Sequence, residues 1–477
     1  MTAVALQGLM FFPRGGSAQV VRYLSRAIAR DGRVRPRVVA GSLGPPGAPG
    51  DARAFFAGLD LVTVDYDAAV GAPDPLAASP PMHPSYEDRP GAPDRIMASL
   101  DAAAAEHLTG EWRRILAAPG VLDDVAVAHL HHLTPLHEAL AALRPELPVV
   151  THLHGTELLM LAAIEAGAPW AHGLAWAERM RRWAAASARV VVGSEPARTE
   201  AAAALGLAAD AIEVVPNGVD LKLFDGHRAP PAERAAFWRR RLCEEPGGWS
   251  PTDRRPGAVA YAPEQIAPLE DPDATVVLFV GRFTEVKRIP SLIRAHARAR
   301  EALGRPLPLV LWGGAPGEWE GPHPLEVAAA SPWGREVFLA GWSAHEELPA
   351  ALAAADVLAV PSAGERFGLV YVEAMAMGVP PIAGDAGAPP SFIDADPDSP
   401  GRAGWLVPPG DEAALASALV EAARDPAERA LRGANGRRLA RERFGWPGIA
   451  RRVVEIYEEL GVPVTRRRAA RTRARSR

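Results

Sequence analysis

The sequence is poor in cysteine and in lysine, and both shortages limit what the protein can be. Cys243 is the only cysteine among 477 residues, so neither a disulfide framework nor a cysteine-based metal site can form within the chain. This composition fits a reducing compartment, and we expect a cytoplasmic protein. Lys222 and Lys287 are the only lysines among 52 basic residues, which makes a lysine inside a motif more informative than an arginine.

Long hydrophobic runs are also missing. The apolar stretch at residues 4–12 follows no basic segment and is too short to cross a bilayer. No later run reaches the roughly 18 apolar residues that a membrane helix needs. We therefore expect neither secretion nor membrane insertion.

Positive charge is scarce except at the end of the chain. The formal net charge is −5, and residues 465–477 contain seven arginines and no acid, so without those arginines the net charge is −12. Nucleic-acid binding needs clustered positive charge on a folded surface, so we predict no nucleic-acid partner. Residues 462–477 are predicted to form a disordered basic tail, which could make a weak contact with a membrane surface.

Alternating strand-like and helix-like segments predict two α/β domains. The chain, with 48% hydrophobic residues, is longer than a single core usually supports. The alternation runs through both halves, as is typical of parallel sheets covered by helices. The predicted strands occupy residues 4–12, 126–130, 149–152, 276–280, 309–312 and 357–360, and the predicted helices occupy residues 18–29, 136–143, 289–302 and 369–377.

A Pro/Asn/Gly turn divides the two halves. We place a hinge at residues 214–220, because a strand end runs there into a turn-forming sequence. The predicted domains are residues 1–215 and 216–445, followed by a helix at residues 446–461 that returns to the first domain. Residues 45–93 and 233–272 interrupt the alternation and are predicted to be loop insertions.

The most informative segment is residues 361–380, which follows a predicted buried strand. Gly364 and Gly368 permit close backbone approach in the strand-to-helix loop, and a helix that begins near Gly368 offers free amides to an anion such as a diphosphate. Glu365 lies in the loop and Glu373 on the second helical turn. Both carboxylates can therefore face one pocket and accept hydrogen bonds from sugar and ribose hydroxyls.

A second motif, residues 280–288, also follows a hydrophobic strand. Gly281 frees the backbone, and Arg282 and Lys287 place two cations at the carboxyl end of a strand, which is the usual ligand edge of such sheets. Taken alone, these side chains would be ordinary surface charges. Their position ahead of the glutamate motif indicates a role beside a leaving diphosphate, where they would stabilise developing charge.

Together the two motifs resemble the retaining glycosyltransferases of family 4 in the GT-B class. That family is marked by two glutamates separated by seven residues, with Gly-Arg and Lys upstream. Further matching features span nearly the whole chain and lie at residues 13–16, 154–157, 216–220 and 444–446. Two features differ from the family pattern: residues 387–391 read Gly-Ala-Pro-Pro-Ser instead of Gly-Gly-x-x-Glu, and Arg288 stands where a glycine is often seen.

The resemblance implies an α/β protein of GT-B architecture, with two Rossmann-like domains that face each other across a cleft. It implies transfer of a sugar, with retention of anomeric configuration, from a nucleotide sugar held by the C-terminal domain. The acceptor, a sugar, a lipid-linked molecule or a small molecule, would bind the N-terminal domain. The nucleotide sugar is a co-substrate, and neither a further cofactor nor a metal is implied.

The resemblance also assigns roles to individual residues. Catalytic roles fall to His154 beside the transferred sugar, Arg282 and Lys287 on the diphosphate, and Glu365 on the sugar. The implied donor-binding set consists of the backbone amides of Gly15 and Gly16, Arg282 and Lys287, Glu365, residues Phe367, Gly368 and Leu369, and Glu373 on the ribose.

Six histidines cluster in the N-terminal half, at positions 129, 131, 132, 137, 152 and 154. On extended strands His129 and His131 would share one face, and His152 and His154 another. Neither aspartate nor cysteine completes a ligand set, so we predict hydrogen bonding at the sheet edge rather than metal binding. His132, His154 and the insertion at residues 45–93 are predicted to line the acceptor site.

Several alternatives stay open. A dehydrogenase is disfavoured because residues 13–18 lack the Gly-x-Gly-x-x-Gly spacing. A GT-B relative that acts as a phosphorylase, or as a nucleotide-sugar hydrolase or epimerase, would share these motifs. A catalytically silent subunit that binds sugar nucleotides is a further alternative. The nucleotide base, the sugar, the acceptor and the oligomeric state follow from no residue pattern here.

Overall fold

The computed structural model describes residues 2–87, 94–393 and 401–465. The chain divides into two compact units, of which the first runs from the N-terminus to Gly218 and resumes at Trp446, and the second is Val219–Gly445. Within the described ranges, no helix combines the length and the hydrophobicity needed to span a membrane. The arginines of the predicted basic tail lie outside the described residues.

The first unit is built on a parallel sheet. Its strands are β1 Val4–Leu9, β2 Arg35–Ser42, β3 Asp60–Asp65, β4 Val125–His131, β5 Val149–His152, β6 Arg189–Val192 and β7 Ile212–Val214. Its first helices are α1 Gly16–Asp31, α2 Ala52–Phe55, α3 Asp67–Val70, α4 Ala102–Leu116, α5 Leu136–Leu143, α6 Thr156–Glu165, α7 Gly173–Ala186 and α8 Glu195–Leu205. The seven strands follow the order β3-β2-β1-β4-β5-β6-β7.

The second unit repeats this architecture with six strands in the order β10-β9-β8-β11-β12-β13. These strands are β8 Val277–Gly281, β9 Leu309–Gly313, β10 Val337–Gly341, β11 Val357–Val360, β12 Pro381–Gly384 and β13 Trp405–Val407. Its helices are α9 Pro231–Arg239, α10 Ala267–Glu270, α11 Ile289–Leu303, α12 Pro324–Ala329, α13 Leu348–Ala353, α14 Leu369–Ala376, α15 Pro390–Ile393, α16 Glu412–Arg424 and α17 Pro426–Arg443.

The predicted fold class, α/β with Rossmann-like halves, is confirmed. Every strand pair in both sheets is parallel, and all six residues of β1 are buried, as expected where helices cover both faces of a sheet. The predicted strands at residues 149–152 and 357–360 and the predicted helix at residues 136–143 match the observed elements residue for residue.

The last helix, α18 Trp446–Glu459, belongs to the first unit. It buries an apolar face against α1, with Trp446 stacked on Tyr23 at a centroid distance of 6.2 Å. The chain passes so close to this helix at Gly218 that a Cβ there would lie 2.6 Å from the Trp446 ring. A larger residue at position 218 would therefore displace the helix.

The prediction that residues 45–93 form a loop insertion is wrong in part. Strand β3 lies within this range and pairs in parallel with β2 at the edge of the first sheet, and the short helices α2 and α3 flank it. An edge strand of six residues bounded by aspartates gives a weak sequence signal, because neither long hydrophobic runs nor strict alternation marks it. Residues 88–93 lie outside the described ranges.

The prediction that residues 233–272 form a loop is also wrong in part, because only residues 245–262 and 271–272 lack a helix or strand. This segment contains most of α9, a π-helical turn at Arg240–Glu244 and α10. Trp238 and Trp249 are fully buried in the core of the second unit. Their indole N–H groups donate to the carbonyl oxygens of Ala354, at 3.1 Å, and Gly314, at 2.9 Å. The segment is therefore part of the core, because both indole rings are buried there and both indole N–H groups have hydrogen-bond acceptors.

A buried ion pair fixes the same segment to the sheet. The Arg234 guanidinium lies 2.6 Å from the Asp356 carboxylate, and both side chains are almost fully buried. Asp356 also accepts the backbone N–H of Val276, just before β8. Losing Asp356 would leave the buried Arg234 cation without its carboxylate, whereas Asp356 also pairs with Arg228 at 2.6 Å. The buried ion pair makes α9 an integral element of the second unit.

Substituting Trp238 tests whether the segment is core or loop. Trp238→Ala should lower the free energy of unfolding by about 3–5 kcal/mol, because it empties a fully buried site and removes a buried hydrogen bond to the Ala354 carbonyl oxygen, which still accepts from Arg234 at 3.3 Å. The matched control is Trp342→Ala, since Trp342 is 47% exposed, and we expect it to change stability by about 0.5 kcal/mol or less. Denaturant unfolding measures both, and equal effects would contradict the core assignment.

Candidate active site

In each sheet the strand order reverses at one point, and the predicted site residues lie beside it. The reversals fall between β1 and β4 in the first unit and between β8 and β11 in the second. Loops that leave neighbouring strands on either side of a reversal diverge and open a crevice at the carboxyl edge, the usual ligand site of such sheets. Each unit therefore carries its own half-site.

In the first unit, the loop after β1 leads into the N-terminus of α1. Gly15 is the residue before this helix and adopts φ 76° and ψ −163°, a conformation that side-chain-bearing residues rarely take. No side chain caps this end, and no acidic residue occupies its first turn. The amides that begin at Gly16 can therefore bind an anion, and a diphosphate is of suitable charge.

Five of the six histidines, all but His137, form one cluster, so the prediction of two separate faces is wrong. Parallel pairing of β4 with β5 places His131 directly beside His152, on the same side of the sheet. The rings of His152 and His154 stack at 4.7 Å, and those of His129 and His131 stack at 4.8 Å. Register between strands, which the sequence does not show, decides this arrangement.

Three of these rings are close enough to raise the question of a metal site. One ring nitrogen from each of His129, His131 and His152 lies within 4.8 Å of the others. A metal must lie in the plane of every imidazole that binds it, whereas the rings of His129 and His131 are stacked only 6° from parallel. The nitrogens instead pair with other rings, His129 Nε2 with His152 Nδ1 at 3.2 Å and His131 Nδ1 with His154 Nε2 at 3.0 Å. This geometry favours a hydrogen-bonded array.

Burial keeps the array uncharged. It lowers the pKa of His129, His131 and His154 well below the usual value and lowers that of His152 to about 4. Burial also lowers the pKa of His137 to about 4, where the ring pairs with the Thr151 hydroxyl at 2.9 Å. Near neutral pH these rings are therefore neutral, and each carries a single N–H.

A buried carboxylate supports the two histidines that were predicted to line the acceptor site. Glu157 accepts from His132 Nδ1 at 3.1 Å and from the backbone N–H of His154 at 2.9 Å. Burial raises the pKa of Glu157, but the His132 ring and these hydrogen bonds outweigh it, so the net pKa is lowered. His132 adopts φ 68°, a strained conformation at the end of β4 that brings its ring to 4.5 Å from that of His154.

The predicted acceptor lining also includes the insertion, and one part of it contacts His132. The Tyr86 ring lies 5.6 Å from that of His132, and its hydroxyl donates to the carbonyl oxygen of Leu133. His83 packs edge-on against Phe11, which in turn contacts His132. This wall of the first half-site is therefore aromatic.

In the second unit, two predicted residues meet directly. The Lys287 Nζ lies 2.5 Å from Glu365 Oε2, and each side chain is 17% exposed. The loops that carry them are joined by a backbone hydrogen bond of 2.8 Å from Ala363 to Val286. The loop after β8, which also carries Arg282, is thereby held against the loop after β11.

Arg288, which stands where family members often have glycine, adopts the left-handed conformation with φ 54°. It is the residue before α11, and no side chain caps that helix. A non-glycine residue in this conformation is strained by roughly 1–2 kcal/mol. Arg288 therefore has the left-handed backbone conformation that a glycine at this position would favour.

The helix that follows the glutamate loop begins as predicted, with α14 starting at Leu369. Gly368 precedes it with φ 80°, and a Cβ there would lie 2.4 Å from the Tyr371 ring. No side chain caps α14 and its first turn carries no acid, so its amides can receive an anion.

At Gly364, by contrast, a Cβ would meet no atom of the chain within 4 Å, so close approach within the chain does not explain this glycine. The Phe367 ring packs against Phe392 in the core, leaving its backbone at the site.

Glu373 is buried and pairs with a histidine that the sequence did not single out. His345 Nε2 lies 2.7 Å from Glu373 Oε1, with side-chain exposures of 15% and 7%. The sequence carried one indication of this role, because His345 follows β10 and so lies at the same carboxyl edge of the sheet as the predicted site residues. The unusual loop at residues 387–391 reaches the site through its backbone, because the Ala388 N–H donates to the Glu365 carbonyl oxygen at 2.8 Å.

Comparison with known proteins identifies the family. The family model described as Glycosyltransferase Family 4 matches residues 14–223, and that described as Glycosyl transferases group 1 matches residues 274–425. A D-inositol 3-phosphate glycosyltransferase of Xylanimonas cellulosilytica is 31% identical over 348 residues, which cover 72% of this chain and 73% of the relative. The chain belongs to glycosyltransferase family 4. It is therefore a transferase that moves glycosyl groups.

Solved structures resemble this glycosyltransferase along most of its length. The catalytic domain of Starch Synthase IV from Arabidopsis thaliana, bound to ADP and acarbose, matches with a TM-score of 0.65 at 15% identity, covering 96% of this chain and 99% of that one. HepE from Anabaena in complex with UDP-glucose matches with a TM-score of 0.61 at 18% identity, covering 95% and 99%. At these identities the likeness shows the fold, which is GT-B.

The buried histidines make the stability of this family 4 protein depend on acidity. Well above pH 6.5, the usual pKa of histidine, His137 is neutral in both the folded and the unfolded state. As the pH falls from 6.5 to about 4, which is the pKa of His137 in the folded protein, the ring is protonated in the unfolded chain but stays neutral in the folded one. Protonation of this ring should therefore lower the free energy of unfolding by on the order of 3 kcal/mol between pH 6.5 and 4.

Denaturant midpoints measured at a series of pH values test this dependence. The His137→Gln variant should show a shallower fall in stability between pH 6.5 and 4 than the parent. Exposed His227 provides the control, and His227→Gln should leave the slope unchanged. A parent slope that survives in His137→Gln would show that the buried ring does not govern it.

Proposed function

We propose that the protein transfers a sugar from a nucleotide-sugar donor to an acceptor with retention of anomeric configuration. The observation that carries the proposal is the meeting of three features in the second half-site. A lysine cation, Lys287, touches the Glu365 carboxylate, and both adjoin the loop that leads to the uncapped N-terminus of α14. A diphosphate needs the cation and the amides, and a sugar needs the carboxylate.

The diphosphate is the group that gains charge during transfer. As the bond from the sugar anomeric carbon to the phosphate oxygen breaks, negative charge grows on the departing diphosphate. Lys287 and Arg282 supply positive charge there, and α14 supplies backbone N–H groups. The amides before and within the first turn of α1, at Gly15 and Gly16, form the matching anion site of the first unit. Preorganised charge of this kind is the largest contribution that most enzymes make to rate.

The two glutamates would hold the neutral parts of the donor. Glu365, positioned by its ion pair with Lys287, accepts hydrogen bonds from sugar hydroxyls. His345 donates to one oxygen of Glu373, which leaves the second oxygen to accept from a ribose hydroxyl. The backbone at Phe367, Gly368 and Leu369 completes the donor site.

The proposal of retention is supported by the neutral histidines of the first half-site and by the charges that the second half-site offers to a diphosphate. His154 is neutral and accepts or donates a hydrogen bond, so it orients the transferred sugar. The acceptor hydroxyl forms its bond to the anomeric carbon on the face that the diphosphate leaves, and its proton passes to the departing phosphate oxygen. This mechanism requires no carboxylate base from the first unit, and the two oxygens of Glu157 already accept from His132 and from the backbone of His154.

The similar proteins suggest where to look for substrates. The relatives of known activity include D-inositol 3-phosphate glycosyltransferases, and the similar structures contain UDP-glucose or ADP. We therefore place UDP-sugars and ADP-sugars first among candidate donors and D-inositol 3-phosphate first among candidate acceptors. No further cofactor is part of the proposal.

A donor screen followed by product analysis tests this function. A nucleotide sugar at about a hundred times its Kd should stabilise the protein by roughly 2.7 kcal/mol in thermal unfolding. With that donor and a competent acceptor, the proton coupling at the new linkage should show the anomeric configuration of the donor. An inverted product would contradict retention. Nucleotide release at the same rate without acceptor would instead indicate a hydrolase, and binding without turnover on any acceptor a silent subunit.

The two lysines of the chain provide a matched test of the catalytic charge. Lys287→Ala should lower kcat by roughly 10²- to 10³-fold, because it removes charge from beside the leaving group. Lys222→Ala should keep the parent rate, since Lys222 is exposed and lies in neither half-site. Nucleotide release in the presence of acceptor measures both, with thermal unfolding as a check on folding. A Lys287→Ala enzyme with an undiminished rate would refute the assignment.

A further inference from the structure

We propose that Gln7 and Tyr457 are positioning residues that set the tautomer of His154, so that its Nδ1 presents a lone pair to a hydroxyl group of the sugar. The inference rests on the proposed function, because that function places a sugar beside His154. Neither Gln7 nor Tyr457 belongs to a sequence motif of the site. Both are fully buried, Gln7 within β1 and Tyr457 on α18.

Two arms, each a chain of hydrogen bonds, start at the Gln7 amide and together form a network, and the first arm runs through His131 to His154. Both of these imidazole rings are neutral, so one nitrogen of each donates a hydrogen bond and the other accepts one. The Gln7 amide oxygen lies 3.4 Å from His131 Nε2, which must then be the donor. His131 Nδ1 is consequently the acceptor, and its partner at 3.0 Å, His154 Nε2, carries the proton. His154 Nδ1 is left with a lone pair and makes no hydrogen bond to any described residue.

The second arm leaves Gln7 in the opposite direction. The Gln7 amide nitrogen donates to the Tyr457 hydroxyl at 3.1 Å, and that hydroxyl donates to His129 Nδ1 at 2.6 Å. His129 Nε2 therefore carries its proton and donates to His152 Nδ1 at 3.2 Å. Each of these three hydrogen bonds then joins one donor to one acceptor, so both arms agree with one orientation of the Gln7 amide.

The orientation of one amide thus decides the proton positions in four rings. Turning the Gln7 amide over would reverse each bond and put a proton on His154 Nδ1. A buried amide with both of its ends paired is held in place, because the reversed network must re-form as a whole. The Tyr457 hydroxyl also links α18 to the histidine array, which gives this C-terminal helix a role in the chemistry of the first unit.

The tautomer can be read without substrate. Selective ¹⁵N labelling of histidine in the full chain, with the His154 signals assigned by their loss in His154→Gln, should show the Nε2–H form. Gln7→Met fills a similar volume but removes both ends of the amide, and Tyr457→Phe removes only the hydroxyl. Both should give a His154 spectrum that moves towards a mixture of tautomers.

A second tyrosine controls for loss of a buried hydroxyl. Tyr86→Phe removes a hydrogen bond to the Leu133 carbonyl oxygen beside His132, outside the Gln7 network. It should leave the His154 tautomer unchanged. A parent protein with the proton on His154 Nδ1, or a Tyr457→Phe and a Gln7→Met variant with the parent spectrum, would overturn the inference. These outcomes need no activity, so they are distinct from failure of the proposed function.

Kinetics supply the functional arm of the test. Gln7→Met and Tyr457→Phe should lower kcat by about 10- to 100-fold, the scale expected when a contact to the reacting sugar is misaligned. KM for the donor should change little, because the residues that would bind the nucleotide in the second unit are untouched. Loss of the tautomer preference with an undiminished kcat would also overturn the inference.

Discussion

Parallel strand pairing is the constraint on which the rest of this structure depends. It requires both faces of each sheet to be buried, and it sends the carboxyl ends of all strands to one edge. Residues far apart in sequence, such as Lys287 and Glu365, therefore meet because β8 and β11 are neighbours. The same constraint brings Gln7 of β1 beside the histidines of β4 and β5. Functional residues lie at this edge because the loops there are not constrained by packing in the core.

The two half-sites differ in the kind of interaction that they offer to a ligand. The second unit presents charge, with a lysine and an arginine after one strand and an uncapped helix start after another. The first unit presents hydrogen bonds from rings that burial keeps neutral. The buried carboxylate beside these rings, Glu157, is held by His132 and by the backbone of His154. A diphosphate and a sugar differ in the same way, since one is charged and the other is polar but neutral.

Two residues with strained backbone lie where these loops turn. His132 and Arg288 both adopt positive φ without being glycine, and both lie at the carboxyl edge of a sheet. In each case the surroundings hold the residue, through Glu157 for His132 and through the start of α11 for Arg288. Strained backbone survives in a folded protein only where neighbouring contacts determine it, and such positions are common in functional sites.

The sequence by itself determined the fold class, the elements with strong hydrophobic periodicity and the identity of the family motifs, because each depends on residues close together in the chain. It failed for β3, an edge strand with a weak pattern, and for the segment around Trp238, whose burial comes from distant contacts. It also could not show that His345 holds Glu373. Only the tertiary structure decided these pairings, because strand register and helix packing bring together residues that no local pattern relates.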